Sequence, residues 1–525
     1  MTTDKKSNEG FVINESLQKV AKGSSIVFAA LLLSLLPAFI SRLIMVRYWT
    51  ESEYGVFSLA LVVLSICIVI STLGLPQGVS RSIAYARGKK EYTKIQEFLS
   101  ASIWFSALAS ILVGIVLFLF SEMISVSIFH EPELVTPLRV FSLALPISTL
   151  ISVIVSIFRG FEQIKPIAYF QQILPNVIFP LLLIVVIFSN LSFIFVFYAF
   201  AGAITITFIL LIVYSLRKIQ LSSIFFMKSI TGPAPKELLI FSLPLLITAT
   251  LTSVVSWTDT LMLGSLKSTS DVGLYNAALP SAQFIVFPLS ALLAIYMPVL
   301  SGLYAKNKFN EIKRNYSILT KWLCSATLPL FATLFLFPGT IITFLFGSTY
   351  APASNALRIL SLGFIVSNFL GPCSVSLIGM GKSRFFMLSS LFAAILNVGL
   401  NATLIPFFGL IGAATASAIS LGCINLIRSW KLYLLSGAKP LSKNLVKPTL
   451  VSLGIIGVIY IIFQNFVTME GWMLPIILVL FYIVYILAML ITKSLDQEDL
   501  KMLQILEEKT GFKSNLLRRL LLKFQ

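Results

Sequence analysis

Residues Leu239 to Tyr275 read LIFSLPLLITATLTSVVSWTDTLMLGSLKSTSDVGLY, and this stretch decides the fold of the chain. Its first part is long and apolar enough to cross a bilayer, which takes about 20 residues in a helix. It also holds Asp259, the one carboxylate that lies well inside any of the apolar spans of the sequence. Because an unpaired carboxylate is costly in hydrocarbon, Asp259 is a candidate functional residue.

The composition is that of an integral membrane protein. Of 525 residues, 57% are hydrophobic and 11% are charged, and the mean hydropathy is +0.95. A soluble domain carries about 25% charged residues, and one core could not keep so much apolar surface from water. The four cysteines all lie inside apolar runs, so we interpret them as packing residues rather than disulfides or metal ligands. We expect no cleavable signal peptide in the polar residues 1–23.

Apolar runs long enough to span a bilayer occur fourteen times, and none alternates with the period of two that a strand would show. We therefore predict an all-α polytopic membrane protein with about 14 transmembrane helices. The predicted spans are residues 24–46, 55–78, 98–120, 138–158, 166–188, 192–215, 239–264, 274–302, 319–340, 356–379, 385–405, 408–431, 448–466 and 472–492.

Basic residues mark one side of the membrane. With the N-terminus in the cytoplasm, 34 of the 39 Lys and Arg residues fall in inward-facing segments, as the positive-inside rule requires. An even number of spans puts both termini in the cytoplasm, and the predicted location is the cell membrane. The net charge of +18 follows from this topology and from contact with anionic membrane lipids, so we predict no nucleic-acid partner.

The first twelve spans contain a repeat of about 218–222 residues. EYGVF at Glu53–Phe57 aligns with DVGLY at Asp271–Tyr275, and AYARGK at Ala84–Lys89 aligns with LYAKNK at Leu303–Lys308. Six spans is an even number, so both copies insert in the same direction and form two six-helix lobes around a central cavity.

The repeat divides the chain into six parts. They are a cytoplasmic N-terminus, an N-lobe, a cytoplasmic linker, a C-lobe, two extra helices and an amphipathic cytoplasmic tail, at residues 1–23, 24–215, 216–238, 239–431, 448–492 and 493–525. The tail ends in LLRRLLLKF at 516–524, a basic amphipathic segment of the kind that lies on the inner leaflet. The alternative is a positively charged stop after the last span.

A set of motifs in fixed order resembles the multidrug/oligosaccharidyl-lipid/polysaccharide exporter superfamily, and within it the polysaccharide-type, Wzx-like flippases. The motifs are VRYWTESEYG at 46–55, RSIAYARG at 81–88, DTLMLG at 259–264, VGLY at 272–275, NVGLNATLIP at 397–406 and GLIGAA at 409–414. The resemblance extends over twelve spans. It departs from the family pattern at Trp49-Thr50, where Leu-Gly is usual.

The resemblance implies a transporter with a V-shaped cavity and alternating access. It implies a lipid-diphosphate-linked oligosaccharide as cargo, membrane lipids as surroundings, and glycosyltransferases or a polymerase of the same pathway as candidate partners. Such a protein makes and breaks no covalent bond, so we expect no catalytic residue, no resident metal and no cofactor.

Passage of a diphosphate through hydrocarbon calls for cations in the cavity. Arg42 lies within the first span, Arg47 follows it, and Arg81 closes the second span. The planar guanidinium can grip phosphate oxygens with two hydrogen bonds, so these three residues are the candidate substrate ligands. The alternative is that they lie near an interface and extend their charged ends to the headgroups.

Asp259, Asn397 and Asn401 form a candidate cation site. Asn397 and Asn401 are one helical turn apart, so they share a face of the eleventh span. One carboxylate with neutral amide oxygens suits sodium, and a proton on Asp259 would serve a similar coupling role. The alternative is that the amides hydrogen-bond neighbouring helices to each other.

Two rival functions compete with the flippase. A cation-coupled multidrug exporter of the same fold, as in the MATE branch, would have a more acidic and apolar cavity. A membrane glycosyltransferase would use Glu51 and Glu53 as a metal-binding pair, but it would also need a large outward domain, and the predicted outward loops are short.

Cysteine-accessibility labelling tests the topology. Cysteines placed at Glu131 and Glu470 are expected to react from outside, and cysteines placed at Lys90 and Lys308 only from the cytoplasm, because of the distribution of basic residues. Labelling of position 308 from outside would contradict the parallel repeat.

Overall fold

The computed structural model describes residues 33–218, 233–287, 296, 300–466 and 469–494. The regular elements of these residues are all helices, so the predicted all-α class is confirmed. The chain divides into two compact units, Met1–Gly273 and Leu274–Gln525. Clusters of buried apolar side chains lie inside each unit.

The first unit is built from eight helices among the described residues. The first, α1, covers residues 33–48. The others are α2 Glu51–Ser71, α3 Leu75–Gly88, α4 Tyr92–Leu119, α5 Val135–Gly160, α6 Leu174–Phe188, α7 Ile194–Lys218 and α8 Pro233–Leu266. Two π-helical segments, Met123–Ile128 and Ile167–Ile173, precede α5 and α6. Helix α8 packs against α2, α3 and α4.

Thr50 explains the departure from the family pattern. It is the N-cap of α2, and its hydroxyl accepts a hydrogen bond from the Glu53 backbone N–H. The Glu53 carboxylate in turn accepts from the Thr50 backbone N–H at 2.9 Å. This capping box satisfies two backbone donors that would otherwise be unpaired at the membrane surface.

A cluster of aromatic rings holds the middle of the first unit together. Phe57 on α2 stacks on Phe179 of α6 with ring centroids 5.8 Å apart. Phe200 of α7 meets Phe179 edge to face at 5.3 Å and Phe141 of α5 at 5.2 Å. Since such pairs stabilise beyond their buried area, the cluster ties four helices to one another.

The second unit contains the remaining helices of the described residues. Helix α9, Thr269–Gln283, begins at the end of the first unit and continues into the second. Helix α10 is described at residues 300–305. The others are α11 Phe309–Leu336, α12 Pro338–Phe346, α13 Ser354–Phe369, α14 Cys373–Gly379, α15 Ser383–Ser436, α16 Lys443–Phe466 and α17 Leu474–Ile491. Helix α11 packs against α13, α16 and α17.

Helix α15 is a hairpin rather than one rod. Its 54 residues would extend about 80 Å if straight, whereas the hydrocarbon core is about 30 Å thick. Gly409 interrupts it with φ 54° and ψ −130°, a conformation that glycine adopts without strain. Hydrogen bonds then join residues on either side, such as Asn397 with Ser417 and Ser389 with Arg428. The two predicted spans 385–405 and 408–431 are therefore confirmed as separate antiparallel helices.

A buried arginine fastens this hairpin. Arg428 is 8% exposed, and it donates hydrogen bonds to the hydroxyls of Ser374, Ser389 and Ser390 at 3.0, 3.0 and 2.6 Å. Its guanidinium also lies 4.3 Å from the centre of the Phe386 ring. Because the serines lie on α14 and on the first half of α15, one side chain joins three helical segments.

The predicted number of spans can be compared with the helices of the described residues. Among the described residues, ten helices are long and apolar enough to cross a membrane, or eleven if a pair bent by 42° forms one span. Helix α15 supplies two crossings. The predicted spans 24–46 and 274–302 include residues outside the described ranges, so the count of fourteen stays a prediction.

The predicted domain boundaries also stay predictions. Most of the linker 216–238 and all of the tail beyond Ser494 lie outside the described residues. All four cysteines are free thiols, and Cys324 and Cys373 are buried.

Candidate functional site

Two glycines at equivalent positions of the repeat meet in the first unit. Gly55 is the third residue of EYGVF and Gly273 the third residue of DVGLY. A Cβ atom on Gly55 would overlap the carbonyl oxygen of Thr269, and a Cβ atom on Gly273 would overlap that of Glu51. Each glycine thus packs against the carbonyl four residues before the other glycine. Only residues without a side chain permit this approach.

Hydrogen bonds fasten the same contact. The Thr269 hydroxyl donates to a Glu131 carboxylate oxygen at 2.9 Å, and its oxygen lies 2.8 Å from the Ser52 hydroxyl. Because the single Thr269 proton goes to Glu131, Ser52 donates to Thr269. We call Gly55, Gly273, Ser52, Thr269 and Glu131 the glycine joint. It connects the starts of α2 and α9 to the loop before α5.

Helix α8 packs against the other helices of the first unit through further small residues. Ser242 is fully buried, and Cβ atoms on Gly74, the N-cap of α3, or on Gly78 within α3 would overlap it. Nearer the other end of α8, a Cβ atom on Gly264 would lie 3.1 Å from the Phe129 ring. Small residues let helix backbones approach closely, which is a main source of helix association in membranes.

Arg81 is the predicted substrate ligand with the best-defined surroundings. It is exposed on α3, and its guanidinium carbon lies 4.2 Å from the centre of the Phe241 ring on α8. The ring face stabilises the cation and orients it, while leaving its N–H groups available at the edge.

Arg42 and Arg47 lie elsewhere, exposed on α1. Arg47 precedes the start of α2, whereas Arg81 follows 30 residues after Glu51. Thirty residues of nearly continuous helix extend roughly 40 Å. One diphosphate can therefore contact Arg47 or Arg81 but not both at once. The role of all three arginines stays a prediction.

The three members of the predicted cation site lie in different units. Asp259 is half-buried on α8 in the first unit, and Asn397 and Asn401 are buried on α15 in the second. Asn401 donates to the Asn397 side-chain oxygen at 3.1 Å, which confirms that the two amides share a face. Asn397 donates across the hairpin to Ser417 at 3.4 Å. This network favours hydrogen bonding between helices, and cation binding by the amides stays a prediction.

The glycine joint is what the sequence reasoning missed. Alignment of EYGVF with DVGLY placed both glycines at equivalent positions, but nothing in the sequence showed that they touch. Glu53, one of the acidic pair considered for a glycosyltransferase, completes the capping box with Thr50.

Two known families match the chain. The family described as polysaccharide biosynthesis protein matches residues 20–304, more than half of the chain. The family described as MatE matches residues 244–403.

Individual proteins agree with these matches. The probable flippase AglR of Haloferax volcanii is 33% identical over 186 residues, which cover 33% of this chain and 37% of AglR. Stage V sporulation protein B of Bacillus subtilis is 21% identical over 438 residues, 78% of this chain and 83% of that protein. The structure of lipid II flippase MurJ in an inward closed conformation superposes with a TM-score of 0.68 at 17% identity, covering 88% of this chain and 98% of MurJ.

The fold and these matches define a polytopic, all-helical membrane protein of the multidrug/oligosaccharidyl-lipid/polysaccharide exporter superfamily. Within it, the chain belongs to the polysaccharide biosynthesis protein family. The resemblance found in the motifs is thus confirmed.

A disulfide can report the glycine joint. The Ser52 and Thr269 oxygens are 2.8 Å apart, close enough for sulfur atoms there to bond with little backbone movement. We expect Ser52→Cys combined with Thr269→Cys to lose both free thiols on mild oxidation, measured by maleimide-polymer gel shift.

Ser65→Cys combined with Thr269→Cys is the matched control. Ser65 lies on α2 about 20 Å along the helix from Ser52, so this pair should stay reduced. Equal cross-linking of both pairs, or of neither, would contradict a joint at Ser52.

Proposed function

We propose that this protein is a transporter that flips a lipid-diphosphate-linked oligosaccharide across the cytoplasmic membrane by alternating access. The observation that carries the proposal is the match of residues 20–304 to the polysaccharide biosynthesis protein family. Flippases among the related proteins support it. The protein is accordingly a transporter and not an enzyme.

The cargo sets three physical requirements: a cation for the diphosphate, polar surface for the sugar, and an apolar surrounding for the lipid tail. Arg81 meets the first, because it is exposed and held against Phe241. Arg42 and Arg47 would meet the diphosphate at the other end of its path. Enzymes of the same glycan pathway are candidate partners.

With both termini in the cytoplasm, the glycine joint lies at the outer end of α2 and α9. A closed joint would bar release on that side, so the outward-open state requires its hydrogen bonds to break. Transport by the protein cross-linked between positions 52 and 269 should accordingly stop and should return after reduction.

One observation favours a second candidate function. The MatE family matches residues 244–403, which supports cation-coupled export of small molecules. Efflux of a cationic dye from vesicles that contain the protein, without movement of a lipid-linked glycan, would favour this exporter over the flippase.

Arg81 can be tested in proteoliposomes with a fluorescent polyprenyl diphosphate that carries a neutral glycan. Arg81→Ala should reduce flipping by about tenfold or more, since a charged hydrogen bond is worth about 1.5–3 kcal/mol. Arg81→Lys should restore it only in part, because the planar fork is lost. Arg217→Ala removes an exposed arginine on α7 and should leave the rate unchanged. Full activity of Arg81→Ala would favour the interfacial role.

Asp259 can be tested by its ion dependence. A site shifts the balance between inward- and outward-open states only if it binds one of them better. Asp259→Asn should therefore insert normally but lose the response of transport to sodium or to pH. Glu237→Gln, at the exposed start of the same helix, should keep that response. An unchanged response in Asp259→Asn would place the coupling site elsewhere.

A further inference from the structure

One face of α8 carries a row of hydroxyls between a cation and a carboxylate. Counted from Phe241, Thr248, Thr252, Ser256 and Asp259 follow at 7, 11, 15 and 18 residues. At 3.6 residues per turn, 18 residues make five full turns, so these positions lie along one side of the helix. They extend about 27 Å, close to the thickness of the hydrocarbon core of about 30 Å.

The hydroxyls are exposed and differ from the rest of the exposed surface of α8. Thr248, Thr252 and Ser256 are all exposed. Between Leu239 and Leu266, the adjoining side of the same helix exposes only apolar side chains, among them Leu243, Ile247, Leu251, Val254 and Val255. Helix α8 therefore has one lipid-like side and one side with hydroxyls that leads to Asp259, and an ionisable residue at membrane depth usually faces the protein interior or a water-filled cavity.

The hydroxyls of this face can accept hydrogen bonds but have no proton left to donate. The hydroxyls of Thr248, Thr252 and Ser256 donate to the backbone carbonyls of Leu245, Thr248 and Thr252 at 2.9, 2.8 and 2.8 Å. Their protons are thus in use, and the oxygens offer lone pairs only. Such a surface accepts hydrogen bonds. It suits the O–H groups of a sugar and does not suit phosphate.

We propose that Thr248, Thr252 and Ser256, which we call the hydroxyl face, bind the glycan part of the cargo during transport. This inference rests on the proposed function and names the residues that contact the sugar. Arg81 at Phe241 holds the diphosphate at one end of the face, and the sugar chain extends toward Asp259. A face of acceptors that ends in a carboxylate selects neutral, hydroxyl-rich sugars over acidic ones.

The geometry gives a dependence on glycan length. Phe241 and Thr248 are seven residues apart, roughly 10 Å along the helix. A cargo with one sugar, anchored at Arg81, reaches at most the first hydroxyl. A trisaccharide also reaches Thr252 and Ser256.

The test compares two fluorescent polyprenyl diphosphates in proteoliposomes, one with a neutral trisaccharide and one with a single sugar. The variant Thr248→Val, Thr252→Val and Ser256→Ala should slow flipping of the trisaccharide lipid on the order of tenfold and change the single-sugar rate by less than twofold. A second variant keeps every hydroxyl but exchanges Thr and Ser: Thr248→Ser, Thr252→Ser and Ser256→Thr. It should keep the wild-type rates. Thr258→Val removes a buried hydroxyl of the same helix and should not distinguish the two cargoes.

Three outcomes would overturn the inference. One is unchanged flipping of both cargoes by the triple variant. Another is an equal loss for both cargoes together with a lower melting temperature in detergent, which would assign the hydroxyls to packing. In the third, the wild-type protein flips neither lipid, and the proposed function then fails as well. The first two leave the proposed function intact because wild-type flipping remains.

Discussion

The close approach of backbones at small residues is the contact on which the first unit depends. Lipid tails are as apolar as leucine, so helices in a membrane gain little from hiding large apolar side chains and rely on close packing and hydrogen bonds. Ser242 against Gly74 and Gly78 fixes one end of α8, and Gly55 against Gly273 fixes the start of the next helix. Between these contacts the middle of α8 is left exposed, which makes it available for a polar path.

Polar side chains serve different ends in the two units. In the second unit, Arg428 and the pair Asn397–Asn401 are buried and bonded within one hairpin, so their hydrogen bonds go to holding helices together. In the first unit, Arg81 and the hydroxyls of α8 are exposed. An exposed cation such as Arg81 needs water or a ligand as partner at membrane depth, and the hydroxyl oxygens of α8 keep lone pairs that a ligand can use. The candidate substrate residues therefore concentrate in the first unit.

Local patterns in the sequence predicted the elements well, and contacts between distant elements poorly. Hydropathy placed the two halves of α15, and helical spacing placed Asn397 and Asn401 on one face. Comparison with the family motif marked Thr50 as a departure from the usual pattern. In the structure, this threonine caps the start of α2. The glycine joint could not be predicted, because a glycine permits close approach without specifying its partner. The grouping of Asp259 with these amides came from their expected depth in the membrane and their oxygen ligands, and it stays a prediction.

The energetics of the glycine joint suit the proposed opening of this contact during transport. A neutral hydrogen bond contributes about 0.5–1.5 kcal/mol and one to a carboxylate about 1.5–3 kcal/mol, so the bonds of Thr269 to Ser52 and Glu131 supply about 2–4.5 kcal/mol. A ligand that moves an equilibrium from 1:99 to 99:1 must supply about 5.5 kcal/mol of differential binding. One diphosphate grip and a few sugar hydrogen bonds are of that size. A buried salt bridge or a plug of large side chains at the same place would add stabilisation that the cargo would have to overcome. Small residues and hydroxyls close the helices tightly while leaving the closure reversible.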